Sequence, residues 1–337
     1  MLPDKKWFFL LLLFSVELKA QPDLTQLRET VRTFQRQGDY DNAILVLNKA
    51  LQQQLDNLDL LKDMAYTEYL QHDYKRAKET IEPLLDRADA DVQTFQIAGN
   101  IYRGMEEVKD CEKVYKKGLR KFPHSGALHA EYGELLLFAM KDHEGAIGIW
   151  EKGIEADPSY AGNYFHAAKF YHAMNEWVWS LFYGEIFINL ESLSTRTAEM
   201  KSMLVDAYKK FYLEAPAAAA KQKNAFETAY RETLAKQADL AAMGVTADNL
   251  TMIRTRFLLD WFEGPAGKFP HKLFDQQQWL VKEGLFEAYN QWAFGAAGNI
   301  VAFQNWVNTH ADSYNQFTRY HRNRIFKVPE GQYYHSN

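Results

Sequence analysis

The sequence predicts an all-α chain: an α-solenoid of about five stacked helical hairpins over residues 24–193, then an aromatic-rich helical segment over 194–326. Three observations point there. Small residues recur at Ala43, Ala77, Cys111, Ala146 and Ser180, spaced 34, 34, 35 and 34 apart. A large apolar residue follows each of the first four at the next helical turn, at Leu47, Ile81, Tyr115 and Trp150, with Gly184 in that slot of the fifth. No segment shows the alternation of a half-buried strand, and strong helix formers dominate after residue 193.

Composition narrows the function classes. The 337 residues carry 39 Lys+Arg against 44 Asp+Glu, a net charge of −5, and are 47% hydrophobic. That balance suits a globular chain with enough apolar surface for a core and argues against disorder. Mild acidity argues against nucleic acid as a partner, because phosphate contacts need clustered Lys and Arg. One cysteine, Cys111, excludes an intramolecular disulfide and any multi-cysteine metal site. The unusual figure is 15% aromatic residues.

At the N-terminus, Lys5-Lys6 precedes the apolar run Trp7–Phe14 and a small residue, Ala20. The run falls short of the roughly 20 residues that span a bilayer. Residues 1–20 therefore read as a cleavable secretory signal, and the mature chain as soluble, periplasmic or secreted, with no transmembrane span. No cysteine near the cut offers lipid attachment, so a lipoprotein is not expected.

The units then follow in order. The first holds Leu27, Phe34, Ala43, Leu47 and Ala50, with Gly38-Asp39-Tyr40 at its inner turn. The second holds Leu61, Met64, Ala65 and Ala77, with His72-Asp73-Tyr74 at the equivalent turn. The third is the most complete: Phe95, Ala98, Gly99 and Tyr102, then Cys111, Tyr115, Gly118 and Pro123. The fourth has Tyr132, Gly133, Ala146, Trp150, Gly153 and Pro158, with one extra residue near its inner turn; the fifth has Tyr164, Ala168, Tyr171 and Ser180. Small residues let the two helices of a hairpin approach, large ones fill the layer to the next unit, and the prolines stop the second helix.

This pattern resembles the tetratricopeptide repeat over about residues 24–192; the spacing Phe95-x2-Ala98-Gly99-x2-Tyr102 carries the resemblance best. The resemblance implies that the first helix of each unit lines a groove that holds a protein or peptide partner. Mapped by phase, the groove residues are Tyr66, Tyr69, Gln96, Asn100, Arg103, Glu131, Glu134, His166 and Lys169. Members that clamp a C-terminal carboxylate use a basic and amide set. Here Asn100 and Lys169 fit that set, while Glu29, Asp63 and Glu131 occupy a key phase and oppose it.

Beyond Leu193 the period is lost. Helices are expected over 196–213 (stopped by Pro216), 217–242 (closed by Gly244), from a cap at Thr246 or Asp248 to about 262, and over 272–294 and 299–326. Residues 327–337 read as an extended tail. Phe303, Trp306, His310, Tyr314, Phe317 and His321 form one helical stripe, expected to pack on the repeats and cap their open end. The alternative is a small-molecule or glycan pocket in which Trp279, Trp292 or Trp306 stacks on the ligand.

No catalytic signature appears: no GxSxG, HExxH, GxxxxGK[ST] or GxGxxG. No catalytic residue, metal site or cofactor is predicted. The sequence thus reads as an exported, non-enzymatic adaptor or scaffold.

Overall fold

The computed structural model describes residues 24–214 and 224–335. The expected leader and the stop at Pro216 lie outside the described residues. All regular structure among the described residues is helical. The chain divides after Ala90 into two units.

The first unit holds two hairpins, α1 (Leu24–Gln37) with α2 (Tyr40–Leu51) and α3 (Leu58–Leu70) with α4 (Tyr74–Ile81). Val31, Ala43, Leu47, Leu60 and Met64 form its core. Arg28 on α1 ties to α3 through Asp59 and Asp63.

The second unit opens with three more hairpins: α5 (Val92–Gly104) with α6 (Val108–Lys121), α7 (Gly126–Glu134) with α8 (His143–Ala156), and α9 (Ala161–Ala173) with α10 (Trp177–Leu190). All five period-setting small residues are buried, each at most 1% exposed. The helices α6 and α8 end at Lys121 and Ala156, just ahead of Pro123 and Pro158. The extra residue of the fourth unit sits in a π-helical turn, Leu135–Met140, that extends α7. A π turn absorbs one residue without shifting the flanking helices.

One backbone feature repeats with the period. The inner turns of the hairpins carry Gly38, His72, Glu106, Lys141 and Asn175, each with φ between 59° and 74°. This left-handed residue closes the first helix, and an acidic residue follows it; Asp39, Asp73 and Asp142 cap the next helix with their side chains.

The last repeat helix, α10, is buried on all sides. It packs against α9 and is covered by α11 (Thr195–Glu214) and α12 (Ala225–Ala235). The remaining helices are α13 (Ala238–Ala241), α14 (Ala247–Glu263), α15 (Lys272–Lys282), α16 (Phe286–Asn290), α17 (Ala296–Gly298), α18 (Ile300–Thr309) and α19 (Ala311–Asn323). Thr246 caps α14 through the Asn249 N–H, as expected.

Several expected helices are broken. The helix expected over 217–242 is interrupted between α12 and α13 at Lys236-Gln237, and its first residues lie outside the described range. The helix expected over 272–294 is split by Gly284 at φ 70° and continues through α16 into a second π turn, Gln291–Gly295. The helix expected over 299–326 breaks at His310. The aromatic stripe also packs differently: Phe317 and His321 lie on Tyr289 and Trp292, so the stripe seals α16 and the π turn, while α11 and α12 cover the last repeat helix.

After Asn323 the chain runs extended. Tyr334 stacks on Phe226 at 4.9 Å, and its hydroxyl donates to the Pro270 carbonyl. His335 sits between the Tyr171 hydroxyl at 2.6 Å and the Glu151 carboxylate at 2.9 Å.

Candidate functional site

In the second unit the phase-mapped residues fall on three consecutive first helices, α5, α7 and α9, and connect from one helix to the next. The Gln96 amide on α5 donates to Glu131 on α7 at 2.6 Å. Behind it the Tyr115 hydroxyl donates to the other Glu131 oxygen at 3.1 Å. Arg103 donates to its neighbour Asn100 at 2.7 Å and lies 3.5 Å from Glu134. His166 on α9 approaches the same Glu134 at 3.5 Å. Gln96, Asn100, Glu131, Glu134 and His166 are half-buried, and Arg103 and Lys169 are exposed.

Burial shapes the charges of this face. It raises the Glu131 carboxyl above its ordinary value, against the lowering by Gln96, Tyr115 and Arg103. It also pushes the His166 imidazole down to about 4, with Arg196 and Lys169 acting in the same direction. His166 is therefore neutral near pH 7, and its contact with Glu134 is a polar contact and not an ion pair. Its ring stacks on Trp150 at 5.1 Å. Lys169 pairs with Glu199 of α11.

In the first unit, Tyr66 and Tyr69 share a face of α3, stacked at 6.0 Å, and Tyr69 leans on Tyr74 at 5.9 Å. Tyr66 is exposed.

The three tryptophans proposed for a ligand pocket take separate positions. Trp279 stacks on Tyr320 at 4.5 Å. Trp292 lies against His321 at 4.3 Å, with the Lys201 ammonium 3.7 Å from its ring centre. Trp306 stacks on His310 at 4.6 Å, and its N–H donates to Glu287 at 2.8 Å. Of the three, Trp306 lines a cleft of about 320 Å³.

One polar cluster was not anticipated. Glu185, 3% exposed in the otherwise apolar α10, pairs with Arg254 of α14, itself 2% exposed. Gln277 and the Tyr289 hydroxyl each donate to Glu185 at 2.8 Å, and Asn290 accepts from Arg254. Burial disfavours the charge on Arg254, but Glu185 and the surrounding tyrosines outweigh it and hold the guanidinium above its ordinary value. The signal was present as a lone carboxylate in Trp177–Leu190, which demands a buried partner. Cys111, buried, donates to the Gly99 carbonyl, and burial raises its thiol to about 12, so it is a packing residue. Among the described residues no group of three His, Cys, Asp or Glu is placed to hold a metal, and no helix is long and apolar enough to cross a membrane.

This fold defines an all-helical repeat protein of the α-solenoid class. The tetratricopeptide repeat family model matches residues 35–96, the stretch from the end of α1 into α5. No curated protein matches the sequence. Among solved structures, the chain is similar to a thermophilic tetratricopeptide repeat protein of Thermus thermophilus, at 14% identity and TM-score 0.44 over 54% of this chain and 97% of that one. It is also similar to pilF of Pseudomonas aeruginosa, at 13% identity and TM-score 0.45 over 60% and 94%. A tetratricopeptide repeat protein of Parabacteroides merdae matches at 13% identity and TM-score 0.41 over 75% and 96%.

Proposed function

We propose that the chain is an exported, non-enzymatic adaptor that holds a protein or peptide segment across α5, α7 and α9. Tetratricopeptide repeats are in general protein-interaction scaffolds and typically not catalysts. The observation that carries the finer reading is the hydrogen-bonded series Gln96–Glu131 and Asn100–Arg103–Glu134, half-exposed across consecutive helices. Such side chains are ordered before a partner arrives, which lowers the entropic cost of binding. Arg103 offers a planar donor fork to backbone carbonyls or an acidic side chain of the partner. The carboxylates of Glu131 and Glu134, and the engagement of Lys169 by Glu199, disfavour capture of a C-terminal carboxylate. In the first unit, Tyr66 and Tyr69 supply a separate aromatic patch.

The test is affinity capture from the envelope fraction of the native host, comparing the unaltered chain with Asn100→Ala/Arg103→Ala. The partner captured by the unaltered chain is expected to be lost from the variant at unchanged helicity. Identical captures overturn the assignment of this face.

Export rests on the order Lys5-Lys6, Trp7–Phe14, Ala20. A mature chain beginning at or near Gln21 supports it; a chain retaining residues 1–20 in the cytoplasm overturns it.

A further inference from the structure

The cleft beside Trp306 is built from α11, the segment leading into α14 and its first residues, the second π turn, α17 and α18, all in the second unit. Its volume of about 320 Å³ lies within the range of small-ligand sites. We propose that it binds a single neutral saccharide ring. The proposal is independent of the adaptor reading, since none of these residues belongs to the α5–α7–α9 face.

Three features carry it. First, the apolar wall is aromatic, Phe303 and Trp306, and suits the C–H face of a sugar ring. Trp306 is held in orientation by His310 on its face and Glu287 at its N–H. Second, the polar lining offers donors and acceptors already fixed by the fold. One oxygen of Asp248 accepts from the Gln291 amide at 2.6 Å, which leaves its second oxygen as an acceptor for a hydroxyl pair. Asn299 caps α18 with its carbonyl oxygen, accepting from the Ala302 N–H at 3.0 Å, which leaves its amide N–H groups as donors. Third, the lining carries one carboxylate, Asp248, and one ammonium, Lys209, so its charge is balanced. A balanced cleft favours a neutral polyhydroxylated ligand over a phosphate or an amine.

The test titrates the full chain with the methyl glycosides of glucose, galactose and mannose and with N-acetylglucosamine, followed by tryptophan fluorescence and calorimetry. At least one is expected to saturate with Kd of about 1 mM, the affinity a ligand of a dozen heavy atoms reaches. Trp306→Ala is expected to weaken it roughly tenfold or more. Gly298→Leu serves as the second variant: Gly298 lines the cleft, and a Cβ added there meets no atom within 4 Å, so the new side chain has room to occupy the cleft. It is expected to abolish binding at an unchanged melting temperature. Absence of binding to all four probes at about 50 mM overturns the proposal, and so does binding that survives Gly298→Leu.

Discussion

The Tyr115 ring lies across the α-carbon of Gly99, and its hydroxyl reaches Glu131 on the next hairpin at 3.1 Å. One side chain thus closes its own hairpin and fixes a carboxylate of the candidate face. The same device recurs one repeat later, where the Trp150 ring covers Gly133 and its N–H donates to the Ala130 carbonyl at 3.1 Å.

Gly99→Ala and Gly133→Ala are expected to destabilise the second unit by about 1–3 kcal/mol each, since a methyl group would collide with the Tyr115 or Trp150 ring. Gly148→Ala is the control. It lies inside α8 with nothing within 4 Å of its Cβ, and it should gain about 0.5–1 kcal/mol. Denaturant midpoints check both signs.

The left-handed turn residues store strain at three positions where the side chain is neither glycine nor asparagine. His72→Gly, Glu106→Gly and Lys141→Gly are each expected to stabilise by about 1 kcal/mol, read as a rise in melting temperature.

His271 makes folding acid-sensitive. It is 1% exposed against Phe182 and Phe274, and burial pushes its imidazole down to about 3. The unfolded chain takes up a proton near pH 6.5 and the folded chain does not. The contribution of His271 is therefore full above pH 6.5 and falls by about 1.4 kcal/mol per pH unit as pH drops from there toward 3, in addition to the like contribution of His166. His271→Asn keeps an acceptor for the Leu273 N–H and should flatten the slope by that amount in unfolding curves between pH 6.5 and 4.5.

Glu131 acts in the opposite sense. Its carboxyl is raised in the folded state, so its ionisation weighs against folding above the ordinary value of 4.5. Glu131→Gln is expected to be at least as stable as the unaltered chain at pH 7. That advantage should shrink as pH falls to 4.5, measured by parallel thermal melts.

Arg254→Met leaves Glu185 buried and unpaired, an expected loss of about 3–5 kcal/mol. Adding Glu185→Gln should recover part of it, and the double-mutant cycle reads the coupling.

The repeat half was legible because its determinants are close along the chain. Gly99 meets Tyr115 and Gly133 meets Trp150 within one hairpin, so the small-to-large spacing reports a contact directly. The candidate face followed from the same phase: Gln96 and Glu131 are 35 residues apart, about one repeat, and do meet. The π turn in α7 was foreshadowed by the single 35-residue interval.

The chain by itself therefore determined the helical class and the phase that brings Gln96 to Glu131, because helix periodicity and a constant repeat length turn sequence distance into spatial distance. Only the tertiary structure decided the C-terminal helices. Glu185 finds Arg254 across 69 residues, Asn189 finds Arg324 across 135, and His335 reaches Tyr171 across 164. No period links such positions. Their pairing is set by which buried polar group needs a partner and which apolar surfaces remain to be covered once the repeats have folded.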